Sequence, residues 1–309
     1  MKKILLPLIL ASISLTACNK YDRSSLRIIS PTGAPALAFY NYATAESFDT
    51  NGDPTNIVAM MAAGQKDVVV LPTNAGMQTI TKKDAPYKIA ATITFGNFYI
   101  ASLNNDDNQV MDANDTILLF QQNNVPDKIF HYVYGDEYNA NIHYVNAVSD
   151  AAAALMSGEF TTAEGDKLVP NYVMVAQPVL TNVLSKKSNV SVYANIQEKY
   201  QEKSGGKKMF QASVFINNKV EAKTAKLFLK SLKEDIENTL KDSNLLFEGM
   251  SKNESAQEIY GVAPAMAKAV LDNDNGMGLG YADAKESKEA IENFLSIFGM
   301  KDIDEKVYF

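Results

Sequence analysis

The chain has 309 residues, of which 46% are hydrophobic and 21% are charged. These proportions are ordinary for a globular protein, and they exclude wholesale disorder, collagen-like sequence and a polytopic membrane protein. The net charge is −7 and no run of Lys and Arg exceeds two residues, which argues against nucleic acid as a partner because nucleic-acid binding needs a basic face. The single cysteine excludes an intrachain disulfide and a zinc cage built from cysteines.

The first residues have the pattern of an export signal. Lys2 and Lys3 precede the apolar segment Ile4–Leu15, which is too short to span the ~30 Å hydrocarbon core of a bilayer. The segment Leu15–Cys18 resembles the bacterial lipobox, in which the cysteine is acylated after cleavage. We therefore expect a lipoprotein signal peptide over 1–17, a lipid such as palmitate on Cys18 and a polar tether over 18–25. An ordinary signal peptide followed by a free cysteine is the alternative.

The remaining chain repeats one pattern, in which a short apolar run is followed by a polar loop and then by helical periodicity. Apolar runs of four or five residues alternating with helices predict mainly parallel, buried strands with crossover helices. This pattern indicates an α/β layered fold. The predicted strands of this pattern are Leu26–Ile29, Asp67–Leu71, Thr116–Phe120, Ile142–Val145 and Tyr172–Ala176.

The order of these units suggests two lobes joined by two polar crossover segments. We predict a discontinuous first lobe over 26–103 plus 209–309, and a second lobe over 116–189. The segments 104–115 and 190–208 are the predicted hinges. A further strand, Phe210–Ile216, is followed by a long amphipathic helix, Val220–Leu240, and helical stretches near 254–261, 263–272 and 282–298 complete the first lobe.

Three segments, in their order and spacing, resemble one family. Ser30–Pro35, Ala63–Val70 and Ala91–Tyr99 are similar to segments of solute-binding lipoproteins of ABC importers, in the nitrate, sulfonate and thiamine-precursor branch. The resemblance implies a two-lobed type II periplasmic-binding-protein fold with a ligand cleft between the lobes. It also implies a protein on the extracytoplasmic face of a bacterial membrane, with a small-molecule ligand and an ABC permease and its ATPase as partners. We expect a monomer.

Polar residues at the ends of the predicted strands are the candidate ligand-binding residues. In an open α/β sheet the carboxyl ends of the strands and the N-termini of the following helices face one crevice. Ser, Thr and Asn before helices also serve simply as N-caps, which is the alternative reading. Phe95, Phe98 and Tyr99 either stack on a flat ligand or belong to the core. The candidates are Ser30, Thr32, Gly33, Thr73, Asn74, Thr94, Gly96, Asn97, Gln121, Gln122, Asn146 and Gln177.

The scarcity of arginine narrows the expected ligand. Arg23 lies in the predicted tether and Arg27 in the first strand, so a bidentate guanidinium clamp on a carboxylate, phosphate or sulfonate is not expected. This departs from branches of the family that bind oxyanions through a cleft arginine. A neutral or aromatic ligand held by amide and hydroxyl groups fits the loops better.

The sequence holds no recognisable catalytic motif. His131 and His143 stand beside no candidate nucleophile, and their spacing is not that of metal ligands, so we expect no enzyme, no metal site and no cofactor. Gly276–Gly280 lacks the strand and the Lys-Ser/Thr of a phosphate loop and is interpreted as a flexible loop near the cleft rim. Two rival functions remain open, namely a lipid-anchored sensor or interaction protein and an enzyme on the same fold.

Overall fold

The computed structural model describes residues 21–103, 110–136, 138, 141–274 and 276–309. Within these residues, strands and helices alternate along most of the chain, as the sequence predicts. The strands are Ile28–Pro31 (β1), Phe48–Asn51 (β2), Val68–Pro72 (β3), Tyr87–Thr94 (β4), Phe98–Ser102 (β5), Ile117–Phe120 (β6), Ile142–Val145 (β7), Phe160–Thr161 (β8), Lys167–Leu168 (β9), Tyr172–Ala176 (β10), Ser191–Asn195 (β11), Ala212–Asn217 (β12) and Leu279–Asp283 (β13).

Helices follow most of the parallel strands. Several of them start with a proline in the first turn, where the missing N–H costs little. The helices are Ala34–Leu37 (α1), Pro54–Ala62 (α2), Thr73–Lys83 (α3), Val125–Tyr134 (α4), Val148–Ser157 (α5), Val179–Leu184 (α6), Ile196–Lys203 (α7), Ala222–Lys241 (α8), Asn244–Met250 (α9), Ala256–Tyr260 (α10), Pro264–Asp272 (α11) and Lys288–Ser296 (α12).

Two sheets carry the fold. The first has six strands in the order β13-β4-β12-β3-β1-β2, and the second has five in the order β11-β5-β10-β6-β7. β1 pairs in parallel with β2 and β3, and β6 pairs in parallel with β7 and β10. β12 and β5 run antiparallel to both of their neighbours. The sheets are therefore mixed rather than mainly parallel. The first contains two reversed strands, β12 and β13, and the second contains one, β5.

Two of the reversed strands, β5 and β12, are those by which the chain enters the other sheet. The chain leaves the first sheet after Thr94 and enters the second at Phe98, and it returns between α7 and Ala212. The sheets are thus joined through 95–97 and 204–211. The sequence placed its crossovers at 104–115 and 190–208, but β5 precedes the first of these segments and β11 and α7 lie in the second. The boundary was misplaced because β4 and β5 read as one continuous apolar stretch.

The core lies on both faces of the first sheet. Along β3, Val69 and Leu71 belong to a buried cluster with Ile57 and Met77, and Val68 and Val70 belong to a second cluster that includes Phe228. Successive side chains of a strand point to opposite faces, so a strand covered on both faces reads as a continuous apolar run. Burying each such side chain contributes about 1.5–3 kcal/mol, which explains the uninterrupted Val68–Leu71 sequence.

The segment predicted as a tether packs on the first sheet's helices from Tyr21 onwards. The ring of Tyr21 lies 5.8 Å from that of Phe228. Arg23 Nη2 donates to both carboxylate oxygens of Asp235 on α8, at 2.9 and 2.7 Å. Apolar contact and an ion pair through Arg23 Nη2 therefore hold residues that the sequence alone suggested were free. Residues 1–20, with the predicted signal peptide and Cys18, lie outside the described residues.

The end of the chain differs from the prediction at one element. The helical stretch expected over 282–298 is the strand β13 followed by α12, and β13 pairs antiparallel with β4. Leu279 and Gly280, expected in a flexible loop, begin this strand. A Cβ at Gly280 would lie 2.9 Å from the ring of Phe95. The glycine therefore allows the backbone to pack closely against Phe95, which lies in the segment that joins the two sheets. No helix within the described ranges has the length and apolar character that a membrane span requires.

Candidate functional site

One cavity is lined by the N-termini of helices from both sheets. It has a volume of about 650 Å³, within the ~300–1,000 Å³ range of small-molecule sites. Helices α1, α2 and α3 reach it from the first sheet, and α4, α5 and α6 from the second. The lining residues are Thr32, Gly33, Ala34, Pro35, Asp53, Pro54, Thr55, Val58, Pro72, Asn74, Ala75, Asn97, Phe98, Phe120, Gln121, Asn124, Val125, Pro126, Val148, Ala176, Gln177, Pro178, Val179, Gln211 and Gly261.

The position of the cavity follows from strand direction. Parallel strands place their carboxyl ends at one edge of the sheet, and each is followed by a helix whose N-terminus faces that edge. Thr32 follows β1, Asn74 follows β3, Gln121 follows β6 and Gln177 follows β10. All four of these residues line the cavity. The edges of the two sheets therefore face each other across it.

An amide network connects the two sheets at the cavity wall. Asn97 Nδ2 donates to the carbonyl oxygen of Gln177 at 2.9 Å, and Gln211 Nε2 donates to Asn97 Oδ1 at 2.9 Å. The backbone N–H of Gln177 donates to the carbonyl oxygen of Asn97, also at 2.9 Å. Asn97 lies in the 95–97 crossing and Gln211 at the end of the 204–211 crossing. The network therefore couples both crossings to the end of β10.

The Gln177 side chain also fixes the start of α6. Its Oε1 accepts hydrogen bonds from the backbone N–H of Thr181 at 3.1 Å and from Thr181 Oγ1 at 2.8 Å. Gln177 is 6% exposed. Two hydrogen bonds to Oε1 orient the amide, so its Nε2 remains available as a donor beside the cavity.

Aromatic rings form one side of the cavity. The rings of Phe98 and Phe120 meet edge to face at 5.9 Å, and both residues line it. Phe95 and Tyr99 do not line it. The Phe95 ring packs on Phe210 at 5.3 Å, and Tyr99 OH donates to the carbonyl oxygen of Gly276 at 3.1 Å. Of the three aromatic residues proposed from the sequence, Phe98 is therefore the one placed to stack on a ligand.

The structure separates the predicted site residues into two groups. Six of the predicted positions line the cavity, namely Thr32, Gly33, Asn74, Asn97, Gln121 and Gln177. Ligand contact by these residues stays a proposal. The positions that do not line it are Ser30, Thr73, Thr94, Gly96, Gln122 and Asn146.

Four of the residues that do not line the cavity are buried within the protein. Thr73 is buried and shares a 2.7 Å hydrogen bond with Ser213, and Ser30 Oγ donates to the carbonyl oxygen of Pro31 at 3.0 Å. Thr94 is 1% exposed. A Cβ at Gly96 would lie 2.4 Å from Met209 Cε. The missing side chain therefore makes room for Met209 and not for a ligand.

Asn146 and Gln122 lie away from the cavity. Asn146 follows the edge strand β7 and lines a separate open depression with Tyr144 and Asp150. Gln122 is exposed. Asn146 obeys the same strand-to-helix pattern, but it lines this depression and not the cavity.

Several lining residues were not identified from the sequence. Asp53 caps α2, where its Oδ1 accepts from the backbone N–H of Thr55 at 2.8 Å. The signal was the Asp-Pro-Thr motif at 53–55, but the preceding strand β2 is short and polar. Gln211 precedes β12, whose N-terminal end lies beside Pro72 because β12 runs antiparallel to β3. Residues that precede a reversed strand share the edge with residues that follow parallel ones.

The electrostatics of the cavity are nearly neutral. Among the described residues that line it, Asp53 is the one charged side chain, and it is exposed. Both arginines are engaged elsewhere, Arg23 with Asp235 and Arg27 with Asp67. Burial raises the pKa of Asp67, but hydrogen bonds from Arg27 and Lys219 outweigh burial and hold that pKa below its usual range. The arginines therefore stabilise the first sheet and its helices.

The two histidines are also away from the cavity. His131 Nδ1 lies 2.9 Å from the backbone oxygen of Asp127 and 3.0 Å from its Oδ1. Asp127 also accepts from Tyr144 OH at 2.9 Å, while the ring of His143 packs on Phe160 at 5.3 Å. In the described part of the chain, no three His, Cys, Asp or Glu side chains gather as metal ligands would. Neither histidine nor Asp127 therefore belongs to the lining of the cavity.

Comparison with solved structures establishes the fold. An ABC transporter structure from Parabacteroides distasonis superposes with a TM-score of 0.72 at 15% identity, covering 92% of this chain and 98% of that one. The periplasmic aliphatic sulphonate binding protein of Escherichia coli gives a TM-score of 0.62 at 11% identity, covering 93% and 92%. A Candida albicans protein with the generic periplasmic binding protein fold gives 0.56 at 10% identity, covering 91% and 92%.

These similarities are of fold rather than of sequence. No protein-family model matches the chain, and no curated protein matches it in sequence. The predicted fold class, α/β of the type II periplasmic-binding-protein kind, is confirmed by the superpositions and by the mixed two-sheet architecture.

Proposed function

We propose that this protein is an extracytoplasmic solute-binding lipoprotein that captures a small molecule between two lobes and delivers it to the permease of an ABC importer. The observation that carries this proposal is the convergence of helix N-termini from both sheets on one cavity. The fold is shared with binding components of transporters, including the sulphonate binding protein of Escherichia coli. The permease and its cytoplasmic ATPase are the proposed partners.

Capture occurs by closure about the two crossings. The segments 95–97 and 204–211 run side by side, since the backbone N–H of Gln211 donates to the carbonyl oxygen of Thr94 at 3.1 Å. We call these two segments together the strip. A rotation about the strip changes the distance between the sheet edges without breaking either sheet. A ligand favours the closed form by its higher affinity for that form, and the permease then recognises the closed surface.

The lipid anchor is proposed from the sequence. Cys18 carries the acyl groups, and more than one chain is needed for durable attachment. Since Tyr21 already packs against the first sheet's helices, the link between the membrane and the folded body is short. The folded body would then be held close to the membrane surface, where the permease lies.

We also propose that the protein is not an enzyme. Neither His131 nor His143 lines the cavity, and the described lining holds no nucleophile paired with a base. Turnover of a bound molecule by the purified protein would contradict this part of the proposal.

Native mass spectrometry tests solute binding. The protein is purified without denaturation, incubated with a small-molecule extract, desalted and weighed beside two variants. Ala75→Trp fills the cavity, whereas Ala222→Trp adds the same ring at an exposed position on α8. A bound mass in the wild type and in Ala222→Trp, but absent from folded Ala75→Trp, supports the proposal. A bound mass unaffected by Ala75→Trp, or none at all, overturns it.

Small-angle scattering tests closure separately. With the bound solute in excess, the radius of gyration is expected to fall relative to the solute-free protein. An unchanged radius with the solute bound would contradict delivery by closure, while leaving binding in place.

A further inference from the structure

The cavity contains no cation to balance an anionic ligand. Asp53, the one charged residue among the described lining residues, is itself negative. Arg23 and Arg27, the chain's two arginines, are paired with Asp235 and Asp67, on helix α8 and beside strand β3. An anion would therefore meet backbone dipoles and a carboxylate, with no guanidinium or ammonium group to pair with.

Prolines remove much of the backbone's capacity to bind an anion there. Pro35, Pro54 and Pro126 lie in the first turns of α1, α2 and α4, and Pro178 directly precedes α6. All four line the cavity. Each replaces a potential N–H donor with an apolar ring. The positive ends of the helix dipoles remain, and they disfavour a cation and attract an anion. Because the described lining offers an anion no cationic side chain and prolines replace several N–H donors, the cavity is better matched to an uncharged molecule.

The amide network leaves an acceptor in the wall. The carbonyl oxygen of Gln177 requires the Nδ2 of Asn97 to face it, at 2.9 Å. Asn97 Oδ1 then requires the Nε2 of Gln211, also at 2.9 Å. The orientation of both amides is thus determined, and Gln211 Oε1 remains a buried acceptor with no partner in the described part of the chain. Asn74 also lines the cavity, and its Oδ1 is likewise a buried acceptor without a hydrogen-bond partner among the described residues.

We infer that the ligand is uncharged, has a flat apolar part and carries at least one N–H or O–H donor. The flat part packs against Phe98 and Phe120, and the donor forms a hydrogen bond with Gln211 Oε1 or Asn74 Oδ1. The Nε2 of Gln177 complements a carbonyl or similar acceptor on the same ligand. This inference rests on the proposed function, since it assigns a ligand class to the same cavity.

Three ring compounds of nearly equal shape test the ligand class. Benzenesulfonamide is neutral and has an N–H donor, benzenesulfonate is an anion, and N,N-dimethylbenzenesulfonamide is neutral without a donor. Dissociation constants are measured by ligand-observed NMR on the folded wild-type chain at millimolar concentrations. Benzenesulfonamide is expected to bind at least about tenfold more tightly than either of the others, equivalent to ~1.4 kcal/mol.

Two matched variants test whether the preference for benzenesulfonamide depends on Gln211. Gln211→Leu removes the unpaired acceptor, and Gln65→Leu makes the same change at an exposed position outside the cavity. The preference for the sulfonamide is expected to shrink in the first and to persist in the second. Equal or tighter binding of benzenesulfonate to the wild type overturns the inference, as does failure of the sulfonamide to bind.

The outcomes separate this inference from the proposed function. If mass spectrometry finds a cavity-dependent solute that is charged, the ligand class is wrong and solute binding stands. If a cavity-dependent solute is neutral and bears a donor, both are supported. If no solute depends on the cavity, the proposed function fails, and the inference fails with it.

Discussion

A Cβ atom built on Gly278 would lie 2.1 Å from the carbonyl oxygen of Gly96, so these two glycines pack backbone against backbone at the crossing between the sheets. The backbone N–H of Phe95 donates to the carbonyl oxygen of Gly278 at 2.8 Å. Gly278 therefore adds a third segment of chain to the strip formed by 95–97 and 204–211. The approach is possible because Gly278 has no side chain.

Gly278→Ala is expected to destabilise the protein through this contact. The methyl group would overlap backbone atoms, and overpacking of this kind costs about 1–3 kcal/mol. Gly278 also has a φ of 60°, which disfavours alanine. Gly299→Ala is the control, since Gly299 has a φ of 73° but no atom within 4 Å of its Cβ position. Urea unfolding should show a larger loss for Gly278→Ala, and equal losses would contradict the tight contact.

Asn97→Asp is expected to weaken the link between the crossing and β10. The carboxylate still accepts from Gln211 but cannot donate to the carbonyl oxygen of Gln177. Leaving a buried carbonyl oxygen unpaired costs about 1–3 kcal/mol. Asn189→Asp, at an exposed position, is the matched control. The free energy of unfolding should fall for Asn97→Asp alone. If neither variant changes it, the amide network does not stabilise the junction between the two sheets.

The sequence predicted much of the site because one rule covers most of it. Thr32, Asn74, Gln121 and Gln177 each follow a buried apolar strand, and strands of this kind are visible as runs of Val, Ile and Leu. Parallel pairing then brings the residues to the same edge of a sheet. What could not be predicted is which of two neighbours faces the cavity. Thr73 turns to Ser213 while Asn74 lines the cavity, and that choice depends on helix orientation.

The missed residues depend on pairing between distant segments. Gln211 reaches the cavity because β12 is antiparallel to β3, which nothing near residue 211 indicates. Asp53 follows β2, a strand of sequence Phe-Asp-Thr-Asn that is held at the sheet edge by pairing with β1. The crossing at 95–97 was hidden because β4 and β5 are both buried and apolar. Long-range strand pairing leaves no local signal in a single sequence.

Acidification is expected to weaken the first sheet at Asp67. Arg27 donates to Asp67 from its backbone N–H at 2.9 Å and from Nε at 3.2 Å, and Lys219 lies 3.3 Å away. Burial raises the pKa of Asp67, but these partners lower it more, so the folded pKa lies below the unfolded value. Its contribution is therefore complete above the unfolded value of about 3.9 and is lost as pH falls through the folded pKa.

Asp67→Asn tests this assignment. At neutral pH the variant should be less stable than the wild type, and the gap should narrow as pH falls below the unfolded value of about 3.9 and through the lower folded pKa. Urea unfolding across this range measures the gap. The same substitution at Asp136, an exposed residue, should leave stability nearly unchanged at every pH. A gap for Asp67→Asn that stays constant with pH would mean that the charge does not stabilise the strand.

Cys18→Ser tests the proposed membrane attachment. If Cys18 is acylated, wild-type protein expressed in a bacterium should sediment with membranes and incorporate labelled palmitate, and the variant should lose the label. Adding Ser24→Cys to Cys18→Ser restores a cysteine outside the Leu15–Cys18 motif and should not restore labelling. Since Ser24 lies beside residues that pack on α8, a lipid there would also have little free chain behind it. Release of the wild type as an unlabelled, membrane-free protein would instead identify 1–17 as an ordinary signal peptide and leave the cavity's function to be judged without an anchor.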